Sequence, residues 1–253
     1  MITGEAIASL LLNEEVNDYD YYFTNMETTL AVAEYYIKQF NKLNPDCSIK
    51  LIVELDINRV KVIVKSAGVV SENIDEDVDK DVDKVIDEKE DTKLKYRPIF
   101  ISSNAITLSN RIQLVVRFYG NPEEVHANYD YVHCCNYWLS KDHKLYLNTA
   151  ALESLLSKNL YYQGSLYPVC SIIRMRKFLK KGWHINAGQI LKMIFQVSEL
   201  DLSNLNVLEE QLIGVDASYY LQVIYYFKTK IEKDPAFKIT TPYLISIIDK
   251  IFG

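Results

Sequence analysis

The spacing of apolar residues changes once along this chain, and that change bounds the fold. Before about residue 145, apolar residues come in short runs of strand length, separated by turn residues. Beyond it they recur every three or four residues over longer stretches. A period of two suits a pleated strand, and a period near 3.6 suits a helix. The expected fold class is therefore α+β, with a mixed-sheet head over residues 1–145 and an all-helical domain over 146–253. The 253 residues suffice for one large core or two modest ones.

Within the head, residues 4–12 read as a short helix with Ala6, Ile7, Leu10 and Leu11 on one face, closed by a turn at Asn13. Val16 to Phe23 reads as an aromatic strand, and Thr28 to Asn41 as an amphipathic helix packing Leu30, Ala33, Tyr36, Ile37 and Phe40. Strands are expected at Ile49–Glu54, Val60–Lys65, Ile99–Ser102, Ile112–Phe118 and Tyr129–Cys134. The second half offers six helices: Ala150–Asn159, Pro168–Lys181, Ala187–Leu200, Leu205–Leu212, Ala217–Lys233 and Pro242–Phe252. Ser203 is the expected N-cap of the fourth, and Ser102-Ser103-Asn104 reads as another cap or as a contact to a base.

The formal net charge of −6 conceals two opposite segments. Residues 72–91 carry eleven acids and three lysines, a sum of −8, which leaves the rest of the chain at about +2. That composition predicts an acidic flexible insertion, placed at 71–95. From Ser154 to Ser198 there is no Asp or Glu, while Lys158, Arg174, Arg176, Lys177, Lys180, Lys181 and Lys192 are all basic. Cations interleaved with Tyr161, Tyr162, Tyr167 and Trp183 suit phosphates and stacked bases, and equally suit a solvated helix face.

No apolar run is long enough to span a membrane. No basic segment followed by an apolar core opens the chain, which predicts a cytoplasmic protein without a leader. Cys47, Cys134, Cys135 and Cys170 form no C-x-x-C pair and read as reduced thiols. A zinc site from His126, His133, Cys134 and Cys135 fits no common ligand spacing. His133 reads either as a base or as a packed core residue.

Asp18 and Asp20 stand two apart at the mouth of the aromatic strand. On a strand both carboxylates face one side, where they suit Mg²⁺, alone or as two ions. A solvated turn is the alternative. The residues leading to the pair carry a more specific pattern. Gly4, a short helix, Leu10-Leu11-Leu12, Asn13 and then Asp18-x-Asp20 keep the register of the head of class II polymerase-β-type nucleotidyltransferases. The stretch resembles the CCA-adding enzymes and bacterial poly(A) polymerases over about twenty residues. Further segments, 97–120 and 164–174, are similar to nucleotidyltransferase-like proteins of tailed phages.

The resemblance implies a nucleotidyltransferase-type head and helical neck, with template-independent transfer of a nucleoside monophosphate from an NTP to an RNA 3′ end or another hydroxyl. It implies Asp18 and Asp20 as ligands to one or two Mg²⁺, and Asp130 as the third carboxylate, with Glu54 and Asp56 as the other candidates. Gly4, Arg117, Arg174, Arg176 and Lys177 would meet the nucleotide or its phosphates. The partners would be a nucleoside triphosphate and an RNA acceptor, in the host cytoplasm for a phage protein. Glu5 and Ala8 stand where that family has a glycine and an arginine, which opens two other readings. One is a catalytically degenerate head that binds nucleotide or nucleic acid. The other is a phage interaction protein.

Overall fold

Two residues at the start of the chain hold its sheet together. Strand β1, Ile2–Thr3, lies inside the sheet rather than at its edge, between β2 (Tyr19–Tyr21) and β8 (Tyr137–Leu139), antiparallel to both. In this computed structural model, residues 1–43, 49–56, 59–66, 96–101, 104–212 and 218–252 are described. The acidic insertion expected at 71–95, and Cys47, Ser102 and Ser103, lie outside the described residues.

The sheet runs β5-β6-β7-β2-β1-β8-β9, with β5 at Pro98–Ile101, β6 at Ala105–Leu108, β7 at Ile112–Val115 and β9 at Lys144–Tyr146. All neighbours are antiparallel except β2 and β7. Strands β3 (Ile49–Asp56) and β4 (Arg59–Ser66) form a separate antiparallel pair. Helix α2, Met26–Leu43, packs Ala33 and Ile37 against Ile101, Ile106, Leu108, Leu114 and Val116 of the sheet. Leu30, Tyr36 and Phe40 join them and Glu34 stays exposed, as the amphipathic spacing requires.

Several elements depart from the expectation. The aromatic strand shrinks to three residues, because β1 is only two residues long and offers a short ladder. Helix α1, Glu5–Leu11, buries Ala6, Ile7, Ala8 and Ser9 and leaves Leu10 and Leu11 exposed. Tyr129–Cys134 is not a strand. Tyr131 makes one isolated bridge to Tyr162, and Val132–Cys134 is a 3-10 turn. Strands β6, β8 and β9 are additions, each three or four residues long and below the length at which alternation shows.

The chain forms two compact units that part between Gln163 and Gly164. The first therefore also holds α3 (Pro122–His126) and α4 (Thr149–Ser157). The second holds α5 (Pro168–Lys180), α6 (Ala187–Ser198), α7 (Leu205–Leu212), α8 (Ser218–Lys233) and α9 (Thr241–Phe252). Its core gathers Leu208 and Leu212 with Val223, Ile224, Phe227, Ile239 and Ile247. Buried Gln211 ties α7 to the start of α5, donating to Leu166 O at 3.0 Å and accepting from Val169 N at 3.4 Å. The N-cap of α7 is Asn204 rather than Ser203, since Asn204 O accepts from Leu208 N and its Oδ1 from Asn206 N. Ser203 bonds Asp201 instead.

Ile106 is wholly buried in the head core. Ile106→Ala should cost about 2–5 kcal/mol, the usual range for an aliphatic truncation that leaves a cavity. Urea unfolding followed by circular dichroism measures it.

Candidate functional site

Asp20 occupies the middle of β2, opposite Thr3 of β1 and beside Gln113 of β7. Gly4 follows Thr3 and starts α1 with φ +90°, a conformation that side chains other than glycine's rarely adopt. A Cβ there would lie 3.2 Å from Asp20 Oδ2 and 3.4 Å from Tyr129 Oη. Carboxylate, phenol and bare backbone thus converge at one point. Burial, then Tyr22, then the charge of Asp20 push the Tyr129 hydroxyl well above its usual value, so it stays protonated.

Asp18 immediately precedes β2 and is half-buried. The loop carrying it is pinned by Arg111, which donates to Val16 O at 2.8 Å and accepts from Tyr19 N at 2.7 Å through its carbonyl. Glu14 at the loop's start pairs with Lys158 at 2.9 Å. The two aspartates are therefore neighbours, but only Asp20 is a strand residue.

The other expected site residues stand apart. Asp130 is buried in the turn after α3, beside Cys135, whose thiol burial and the Asp130 charge help raise to about 11. Among the described residues no group of three or more His, Cys, Asp or Glu side chains is arranged to hold a metal. Asp130 therefore does not join Asp18 and Asp20. Arg117 is also buried, donating to Asn104 Oδ1 at 2.8 Å and lying 5.5 Å from the Phe118 ring centre. It braces the end of β7. Arg174, Arg176 and Lys177 lie on α5 in the second unit, Arg174 half-buried and the other two exposed. Glu54 and Asp56 lie on β3. His133 is buried, its ring 6.1 Å from that of Tyr131.

Residues absent from the sequence expectation complete the picture. Thr3 Oγ1 donates to Asn136 O at 2.8 Å and lies 2.8 Å from His126 Nε2. A hydroxyl has one hydrogen, so toward His126 it accepts, and the imidazole carries its proton on Nε2. Burial lowers the His126 pKa from 6.5 to about 4 against the opposing pull of Glu123, so the ring is neutral at pH 7. Thr3 and His126 are 123 residues apart in sequence, which left no local signal for their contact.

In the second unit, α6 buries Met193 alone among its residues. Ile190, Leu191, Ile194 and Phe195 are exposed, Phe195 by 67%. Their i, i+1, i+4, i+5 spacing puts them on one face. The apolar run ILKMIFQV thus supplies one buried residue and an exposed apolar face.

The family model for Gabija anti-defense 2 family proteins matches residues 1–158, more than half of the chain. The chain belongs to the Gabija anti-defense 2 family. No curated protein matches the sequence. This membership overturns the nucleotidyltransferase assignment drawn from the N-terminal register. The register covers a short helix feeding a short strand, and among the described residues no third carboxylate completes a metal-holding group with the pair. What is shown is a mixed α+β fold in a Gabija anti-defense 2 family member. Among the described residues, no helix is long and apolar enough to cross a membrane.

The depressed pKa of His126 gives a pH signature. Between 6.5 and about 4 the unfolded chain binds a proton that the folded ring refuses. Its contribution is complete above pH 6.5 and is lost as the pH falls toward 4. His126→Asn should therefore flatten that part of the stability profile, read from urea midpoints at stepped pH.

Proposed function

We propose that this protein is a phage counter-defence factor that acts in the host cytoplasm by binding a protein of the Gabija defence. Family membership supports the biological target. The exposed face of α6 carries the mode of action. Four large apolar side chains on one helix face are the kind of surface that a partner covers. The acid-free window around it, with Lys180, Lys181 and Lys192, fits a partner whose apolar patch has an acidic rim.

Leu191→Ser/Phe195→Ser should weaken that binding at least about tenfold, as losing two central apolar anchors does. Both side chains are exposed, so thermal unfolding should be unchanged. Calorimetry against purified Gabija proteins, with phage plating on Gabija-bearing cells, provides the readout. Unaltered affinity in the double variant removes α6 as the contact, and wild-type protein that binds no Gabija protein removes the direct-binding mode.

A second reading rests on the Gly4–Asp20 geometry. A carboxylate set against bare backbone, with Asp18 two residues away, fits one Mg²⁺ that keeps waters or takes phosphate oxygens. Two such carboxylates do not make a two-ion cage. On this reading the protein binds a Mg²⁺–nucleoside triphosphate at Asp18 and Asp20. Asp18→Ala should then abolish Mg²⁺-dependent ATP binding in calorimetry. Equal behaviour of variant and wild type rejects it.

A further inference from the structure

The head contains a cavity of about 610 Å³ that neither reading above uses. Its walls come from α3, from β8 and β9, and from Gln163 at the end of the unit. Glu123, His126, Cys135, Tyr137, Tyr146 and Gln163 define it chemically.

Several donors on these walls are already used, although the Tyr137 hydroxyl and the Asn148 amide remain on the lining. Gln163 Nε2 donates to His126 O and Tyr129 O, both at 3.0 Å. Tyr146 Oη donates to Asp142 at 2.9 Å. Cys135 keeps its proton, with its thiol raised to about 11 by burial. The acceptors are a different matter. His126 spends Nε2–H on Thr3, which leaves Nδ1 as a lone pair. That atom makes no hydrogen bond to a described residue and is not sealed from solvent. The carboxylate of Glu123, three residues before it on α3, is exposed and is the one charged group lining the cavity. Lys144, on β9, is held over the Tyr146 ring at 5.1 Å.

The apolar part of the wall is flat. Tyr137 and Tyr146 face each other across β8 and β9, with ring centres 4.9 Å apart and planes 10° apart. His126 meets the Tyr137 ring at 5.5 Å, edge on. The walls thus combine a carboxylate, an imidazole lone pair and aromatic rings.

We infer that this cavity binds a guanidinium group, with the Glu123 carboxylate and His126 Nδ1 accepting its N–H donors beside the Tyr137–Tyr146 pair. A guanidinium is planar, carries donors and no acceptor, and packs favourably against aromatic rings. An ammonium matches the charge but neither the flatness nor the spread of donors. The group reaches the cavity either as an arginine side chain of a partner or as a small guanidino compound. Nothing in the cavity depends on what α6 binds.

The test uses the full chain labelled with ¹⁵N-histidine. Ethylguanidinium, free arginine, an N-acetyl-arginine amide, n-butylamine and acetate are titrated at pH 7. The guanidinium compounds should shift the His126 Nδ1 resonance saturably, and n-butylamine and acetate should not. Glu123→Gln, at an exposed position, should weaken binding about tenfold through loss of a charge-assisted hydrogen bond, without altering thermal unfolding. Preference for the capped amide over free arginine identifies a protein side chain as the source, and the reverse preference identifies a small molecule. Equal response to n-butylamine and ethylguanidinium, or no saturable shift of Nδ1, overturns the inference.

Discussion

The hydroxyl of Thr3 fixes the middle of the sheet. A two-residue strand makes few ladder bonds, yet β1 separates β2 from β8 and must hold both. Thr3 is wholly buried, and its side chain supplies what the short ladder lacks by bonding Asn136 O and His126 at the same time. Gly4 N adds a bond to Cys134 O at 3.2 Å. The chain then turns at a positive φ into α1. A two-residue slip of this segment would leave the Thr3 hydroxyl and the Nε2 proton of His126 buried without each other, at a cost of about 1–3 kcal/mol per group.

The two sites of the head are consequences of that one strand. On one side, Gly4 and Thr3 set the position of Asp20, because the register places Thr3 opposite it. On the other, the Thr3 hydroxyl fixes the tautomer of His126 and so leaves its Nδ1 as an acceptor. One polar side chain therefore orients a carboxylate through the backbone and an imidazole through a hydrogen bond. The cavity's acceptor character follows from proton bookkeeping rather than from any charged residue deep within it.

How much of this could be read from sequence depended on range. Helix α2 and the five helices of the second unit announced themselves through long 3.6-residue periods, and their bounds shift by only a residue or two. Strands β6, β8 and β9 were invisible because three or four residues cannot display an alternation. Asp130 was expected on a strand since YDYVHCC is rich in strand formers, but the tertiary setting folds it into a turn. Arg117 read as a phosphate contact because a sequence shows charge and hides burial. The N-terminal glycine–helix–aspartate register was real as local structure and misleading as family, since local geometry is shared by unrelated sites.

The two units divide the functional argument. The family match ends at residue 158, before the helices of the second unit, whereas the exposed apolar face lies on α6. If α6 seats the partner, its contribution is affinity, because burying Leu191, Ile194 and Phe195 removes apolar area from water without any chemistry. The head then contributes what affinity alone does not: a carboxylate placed against bare backbone and an acceptor-lined cavity, both on a rigid sheet. Changes on α6 would lower occupancy and be overcome by more protein. If the head instead alters the bound partner, the effect of changes in it would persist at any protein concentration. Concentration dependence of the counter-defence effect thus separates a protein that merely covers its target from one that alters it.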